Sequence, residues 1–329
     1  MLDGEIRAIE DNKEVYKHLS LMDELCDILM EKREKKGSID LDVKESEIFV
    51  DNKGKINVVA SHQNKAQKII EEFMILANVT VAEYFYFLDI PFVYRVHEKP
   101  NEDKLENFYK FLDSLGVKYK KKRDEVYSKD FQLILKSVEY SKNYTLINRV
   151  MLRSMSKAKY SDENIGHYGI ASKRYAHFTS PIRRYPDLQI HRIIKDQIRG
   201  RMKKEKIAHY DQILVDVADH SSKMERRADE AERETDKLKK AQYMENHIGE
   251  EFDGVVSGVT EWGIYVELPN TVEGMIHISK LPGDYFVYDE KTYEVKGTHH
   301  GLKYVLGQPV HIRVEGVDSF LRTVDFSIV

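Results

Sequence analysis

From about residue 12 to residue 36, apolar side chains recur three or four positions apart, at Val15, Leu19, Met22, Leu25, Ile28 and Leu29, among charged neighbours. That period gathers them on one helical face, and Gly37 is the natural stop for such a helix. A hairpin is predicted next. Ile39, Leu41 and Val43 alternate with Asp40, Asp42 and Lys44, while two β-rich runs (48–50 and 56–59) flank the turn residues Asp51-Asn52-Lys53-Gly54. A strongly apolar helix from about 65 to 88 is predicted as the central core element. Pro91 opens a strand-like run to Val96, Pro100 opens a helix to about Leu115, and further helices are expected near 129–139 and 145–156. Ile190, Ile193, Ile194 and Ile198 mark a buried helical face. Pro186 is expected at the start of that helix, after a short turn over 180–185.

From 221 to 247 a charged helix carries a narrow stripe of Met224, Ala228, Ala231, Thr235 and Leu238, small enough to pack closely against the body. After Gly249 the period changes to two. Strands are predicted at 252–257, 263–268, 274–278, 309–317 and 324–328, and five short strands over about eighty residues suit a Greek-key barrel.

Composition narrows the partners. Of 329 residues, 41% are hydrophobic and 33% charged, enough for a core and a solvated surface. The net charge of -4 argues against indiscriminate coating of nucleic acid, yet leaves a local cationic channel open. The single cysteine, Cys26, rules out an internal disulfide or a cysteine-based zinc cluster and fits a reducing cytoplasm. The longest apolar stretch is interrupted by Asn78, Glu83 and Asp89, so no membrane span or membrane partner is expected. The basic run 118–123 and the pair His299-His300 read as solvated loops.

The most informative stretch is His177-Phe178-Thr179-Ser180-Pro181-Ile182-Arg183-Arg184-Tyr185-Pro186-Asp187. A helix start is positive and rich in free N–H groups, which disfavours cations. Two arginines there make sense with an anion among them, and phosphate suits the guanidinium fork; a solvated surface helix start is the equal alternative on physics alone. In the barrel, Trp262 and Tyr265 flank Gly263 on adjoining positions. Exposed aromatics on such a barrel stack single-stranded bases, with core burial the alternative for Tyr265.

The segment from Tyr175 to Tyr185 resembles the signature of the RNase R / RNase II family of processive 3'→5' exoribonucleases. Ile70-Glu71-Glu72-Phe73-Met74-Ile75-Leu76-Ala77-Asn78, Met151-Leu152-Arg153-Ser154-Met155 and Glu225-Arg226-Arg227-Ala228-Asp229-Glu230-Ala231-Glu232-Arg233-Glu234 resemble further family segments in the same order, and the tail resembles an S1-type RNA-binding domain. The resemblance covers essentially the whole chain. It implies a mixed α/β fold: the distal part of an RNB-type catalytic domain over 1–247, mostly helical with a small sheet, then an S1-type OB-fold barrel over 248–329.

It also implies roles. Arg183 matches the family arginine that contacts the scissile phosphate, with Arg184 and Tyr185 beside it and Thr179 and Ser180 facing RNA; for Arg184 a structural ion pair reads equally well. Glu232 and Glu71 (or its neighbour Glu72) stand where the family carries acidic residues near its active site, although an exposed helix glutamate and a dipole-matched helix start fit as well. In the barrel, His277, within Gly274-Met275-Ile276-His277-Ile278-Ser279, and Arg322 complete the expected RNA contacts. Leu41 replaces an aromatic clamp. The family's Mg²⁺ is held by an Asp-rich cluster, which this chain is expected to lack: no Asp-Asp pair occurs, and Asp40, Asp42, Glu45 and Glu47 read as a solvent-facing strand.

Two classes of function follow. In the first, the chain is the distal part of a Mg²⁺-dependent exoribonuclease that releases nucleoside 5'-monophosphates from single-stranded RNA, and alone it binds RNA but hydrolyses it weakly or not at all. In the second, it is a non-catalytic RNA-binding protein, or one subunit of a split nuclease whose Asp-rich half is a separate polypeptide.

Overall fold

The computed structural model describes residues 6–39, 45–61, 63–120, 126–141, 143–289, 292 and 294–329. Helices α1 (Ile6–Asp11) and α2 (Lys13–Lys36) lead in, and Gly37, at φ 96, closes α2. Strands β1 (Glu45–Val50) and β2 (Ile56–Ser61) pair antiparallel in a hairpin. Asp51 makes its turn: the carboxylate accepts from the backbone N–H of Lys53 (2.8 Å) and Lys55 (2.9 Å), the bonds that hold its pKa below the usual carboxylate value. The strand expected over 39–44 falls largely outside the described residues, with Leu41, Asp40 and Asp42 in it, as does part of the basic run. Glu47 is exposed on β1.

Helix α3 (Lys65–Phe87) starts with a full capping box between Asn64 and Gln67. It is less central than its composition suggests. Ile69, Ala82 and Phe85 are buried, while Ile70, Met74, Leu76, Tyr84 and Phe87 stay exposed, so apolar residues encircle a helix that the described chain covers on one side. The same holds for α2, where only Cys26 is buried.

Next come β3 (Tyr94–Val96), α4 (Glu102–Ser114), α5 (Ser128–Val138), α6 (Tyr144–Ser154) and β4 (Lys159–Ser161), with β3 and β4 antiparallel. Helix α7 spans Tyr185–Ile198, one residue earlier than expected. Ile190 and Ile193 are buried in it, but Ile198 is exposed in its last turn, so the apolar face is shorter than predicted.

Helix α8 (Lys204–Met244) has 41 residues. Its buried positions, Tyr210, Leu214, Ala218, Ser221, Ser222, Ala241 and Met244, lie toward its two ends. The predicted stripe is therefore corrected: Met224, Ala228, Ala231 and Thr235 are exposed along the middle.

Beyond α8, β5 (Glu251–Thr260), β6 (Gly263–Glu267), β7 (Glu273–His277), β11 (Pro309–Asp318) and β12 (Thr323–Ile328) close a barrel in the order β11-β12-β7-β6-β5. All five were predicted, within a few residues at the ends. Gly263 permits closure, because a Cβ there would lie 2.1 Å from the Ile276 carbonyl oxygen. Unforeseen is a three-stranded sheet of β8 (Phe286–Asp289), β9 (Glu294–Gly297) and β10 (Lys303–Val305), inserted between β7 and β11.

Two cores result. One runs from Phe108, Phe131, Ile147 and Met151 in the helices to Val256, Ile276 and Phe326 in the barrel, and Arg149 reinforces it by donating to Ser257 O (3.0 Å) and pairing with Glu267 (2.9 Å). The second packs Ala82, Phe92, Val96, Tyr160, Ile190 and Leu214 from α3, β3, β4, α7 and α8. The arginine-bearing turn is built on this second core. The architecture is mixed α/β, a helical portion with small sheets followed by a five-stranded barrel. Among the described residues no helix is long and apolar enough to cross a membrane.

Candidate nucleic-acid interface

The turn before α7 is held from beneath. Arg184 N donates to Ser180 O (3.1 Å), Arg184 is the N-cap residue, and Pro186 follows within the first turn, where its missing N–H costs nothing. Asp187, fully buried, aims its carboxylate back into the turn: Oδ2 accepts from Ser180 N (2.8 Å) and from Arg184 Nη2 (2.8 Å) and Nε (3.2 Å). Of the two readings open for Arg184, the structure shows the ion pair.

Arg183 differs from its neighbour. Its side chain is exposed and has no ion pair among the described residues. Ile182 beside it is fully exposed, and Tyr185 is half-exposed, its hydroxyl accepting from Arg192 (3.3 Å). Thr179 and Ser180 are half-buried.

Behind the turn, aromatic and imidazole rings meet edge to face in sequence. His97 lies 5.1 Å from His167, His167 5.3 Å from Tyr175, and Tyr175 5.6 Å from His177. Asn78 joins this layer to the turn, donating to Tyr175 Oη (3.0 Å) and accepting from Phe178 N (2.8 Å). Burial, then the guanidiniums of Arg184, Arg95 and, more weakly, Arg183, push the His177 pKa down to about 2. Burial, then His97 and Arg95, take His167 down to about 3. Both rings are neutral, so the layer adds no charge to the arginines it supports. Asn78, Asp187 and Arg95, which pairs with Glu225 at 2.6 Å, are residues the sequence reading missed, because their partners are distant or their types unremarkable.

The acidic candidates are dispersed. Glu71, half-buried, accepts from Gln63 (2.5 Å), while Glu72 is buried and paired with Arg33 (2.5 Å) at the edge of a cleft of about 160 Å³. Glu232 is exposed on α8, two turns beyond Glu225 on the same face. Among the described residues no group of three or more His, Cys, Asp or Glu side chains is placed to hold a metal ion.

On the barrel, Trp262 is 62% exposed at the β5–β6 turn, while Tyr265 is half-buried and covers Gly258. His277 pairs in register with Gly263, and Tyr265 with Met275, so Tyr265 and His277 share one face of adjacent strands next to Trp262. Arg322, in the β11–β12 turn, is paired with Glu234 of α8. The same turn presents Phe320 at 92% exposure, another aromatic the sequence reading passed over.

The chain is similar to known proteins along nearly its whole length. The RNB domain model matches residues 1–200 and the S1 RNA binding domain model matches 245–329. Ribonuclease R 1 of Lactococcus lactis is 39% identical over 99% of the chain, and ribonuclease R of Aquifex aeolicus 43% identical over 94%. The chain spans 40% and 44% of those two proteins' own lengths. Mycoplasma genitalium RNase R, solved in complex with ribose-methylated single-stranded RNA, superposes with a TM-score of 0.90 at 28% identity, over 96% of this chain and 50% of that one. The chain belongs to the RNB family, among the ribonuclease R proteins and their S1-type RNA-binding tails.

Proposed function

We propose that this chain is the distal, RNA-gripping portion of a processive 3'→5' exoribonuclease acting on single-stranded RNA in the cytoplasm, divided into an RNB portion over 1–247 and an S1-type barrel over 248–329. One observation carries the reading: of the three guanidiniums near His177, Arg95 and Arg184 are neutralised by Glu225 and Asp187, and Arg183 alone is exposed without a carboxylate. A cation left free beside two quenched ones suits an RNA phosphate. In the complete enzyme it would stabilise charge developing on the scissile phosphate, an effect of about 3–4 kcal/mol in comparable settings. Thr179, Ser180 and Tyr185 would line that phosphate's path, and Trp262, Tyr265, His277 and Arg322 would grip the strand at the barrel. Glu71 and Glu232 are assigned supporting roles at the 3' end.

In this reading Mg²⁺ supplies the activated water and charge neutralisation. The described residues do not fit it: Asp187, Glu225 and Glu72 are each committed to an arginine. With those carboxylates committed, the metal ligands must come from elsewhere; in the second reading they come from a separate Asp-rich polypeptide, and this chain is a non-catalytic RNA-binding protein or one subunit of the split nuclease. Mixing the chain with an Asp-rich RNB half and following poly(A) decay tests both. Mononucleotide release restored only on mixing supports the split enzyme, and robust Mg²⁺-dependent release by the chain alone overturns the assignment of weak activity.

A further inference from the structure

The RNA-facing role of Arg183 leaves open what fixes the turn that carries it. Asp187 anchors the turn from the α7 side, and a second line of contacts reaches it from α8. Glu225 Oε2 lies 2.6 Å from Arg95 Nη1, with the two side chains 28% and 13% exposed, across 130 residues of sequence. The Arg95 guanidinium lies over the Tyr160 ring, 4.7 Å from its centroid. Tyr160 Oη is 2.9 Å from His177 Nδ1. Arg95 N also donates to Tyr175 O (2.8 Å), so β3 is stitched to the strand of residues that runs into the turn. Phe178, the residue after His177, donates its N–H to Asn78. Each link is a directional contact, and together they run from α8 to His177 and Phe178, the residues that lead into the turn.

The geometry points to Arg95 and Glu225 as a positioning brace: their ion pair, acting through Tyr160 and His177, sets the placement of the turn and so the aim of Arg183. The proposal rests on the RNA-facing reading of Arg183 and adds two residues to it. Neither residue touches RNA; both act through the turn. Three features argue for a positioning role rather than a generic ion pair. A guanidinium can stack and pair at once, which an ammonium cannot reproduce, so Arg95 joins two of the links in one rigid plane. Its carboxylate partner comes from the otherwise exposed middle of α8, where charge alone would have been satisfied by water. The pair also neutralises one of the guanidiniums that act on His177.

A double-mutant cycle tests the brace on this chain, with a short 3'-hydroxyl oligoadenylate as probe. Arg183→Ala is expected to weaken binding about fivefold in the parent and less than about twofold in a Glu225→Gln background, since coupled residues depart from additivity while independent ones do not. Amide hydrogen exchange supplies a second readout: Glu225→Gln should speed exchange at Phe178 and leave β6 unchanged. Equal Arg183→Ala effects in both backgrounds, with unaltered exchange at Phe178, would overturn the brace. An Arg183→Ala change without effect in the parent would instead defeat the RNA-facing reading, and exchange at Phe178 would still decide the brace. Should Glu225→Gln fail to fold, Arg95→Lys, which keeps the charge but loses the stack, enters the same cycle with the same expectation.

Discussion

Asp187 Oδ2 sits 2.8 Å from both Arg184 Nη2 and the backbone nitrogen of Ser180, so one buried carboxylate both quenches an arginine and closes the turn that displays the next one. Its other oxygen, Oδ1, is buried without a partner among the described residues. Breaking a buried pair by removing one charge leaves the other stranded. Asp187→Asn should therefore lower unfolding stability by about 3 kcal/mol, visible as a reduced urea midpoint. A midpoint unchanged from the parent would mean that Arg184 is solvated rather than paired.

Arg183→Ala should behave in the opposite way. The side chain is exposed and unpaired among the described residues, so stability should stay within about 0.5 kcal/mol of the parent. Single-stranded RNA affinity should fall, and the slope of log K against log salt should shrink by about 0.7 for the one lost phosphate contact. Titrations at three salt concentrations read both quantities. An unchanged slope would remove Arg183 from the phosphate path.

Trp262→Ala should weaken RNA binding by about 1–3 kcal/mol, the usual worth of one stacked base, with the melting temperature unaltered. Quenching of the chain's single tryptophan by bound RNA gives an independent readout in the parent. Equal affinity in the variant would shift attention to Phe320.

His177 and His167 make stability depend on acid. Their folded pKa values, about 2 and about 3, lie below the ordinary 6.5, so the folded state binds fewer protons than the unfolded chain. The stability they contribute is fully present above about pH 6.5 and is lost as pH falls from there toward 3, at up to about 1.4 kcal/mol per pH unit for each ring. Urea midpoints at pH 7, 6 and 5 should fall progressively, and His177→Gln should flatten the decline. A pH-independent midpoint would mean that these rings are hydrated.

Gly263→Ala should disrupt the barrel, since the added carbon meets a backbone oxygen at φ 147. Lost near-ultraviolet circular dichroism of Trp262, with helical signal retained, would report local failure of β5–β7. A variant with parent-like spectrum and melting would show that the strands can part without cost.

Much of the fold was legible because period-two runs such as those around Val256, Ile264 and Ile312 bury alternate residues, and because Gly37 carries helix-end chemistry. The β8–β10 sheet was not, since strands of three or four residues are too short to show alternation. The stripe on α8 misled because small residues also suit an exposed helix, and only tertiary contacts separate the two cases. At the site, the arginines were legible from their clash with the helix dipole, but what neutralises Arg95 lies 130 residues away, a distance no local pattern bridges. Arg322 was read as an RNA contact before its tie to Glu234 could be seen; binding there requires that tie to open.

Glu225 and Glu234 fasten α8 to the turn's support and to the barrel respectively, nine residues and about 14 Å apart along one axis. The helix is thus a spacer with a fixed phase as well as a fixed length. Deleting a single residue between the two ties would rotate one against the other by about 100°, so that α8 could no longer keep its ties to Arg95 and to Arg322 at once.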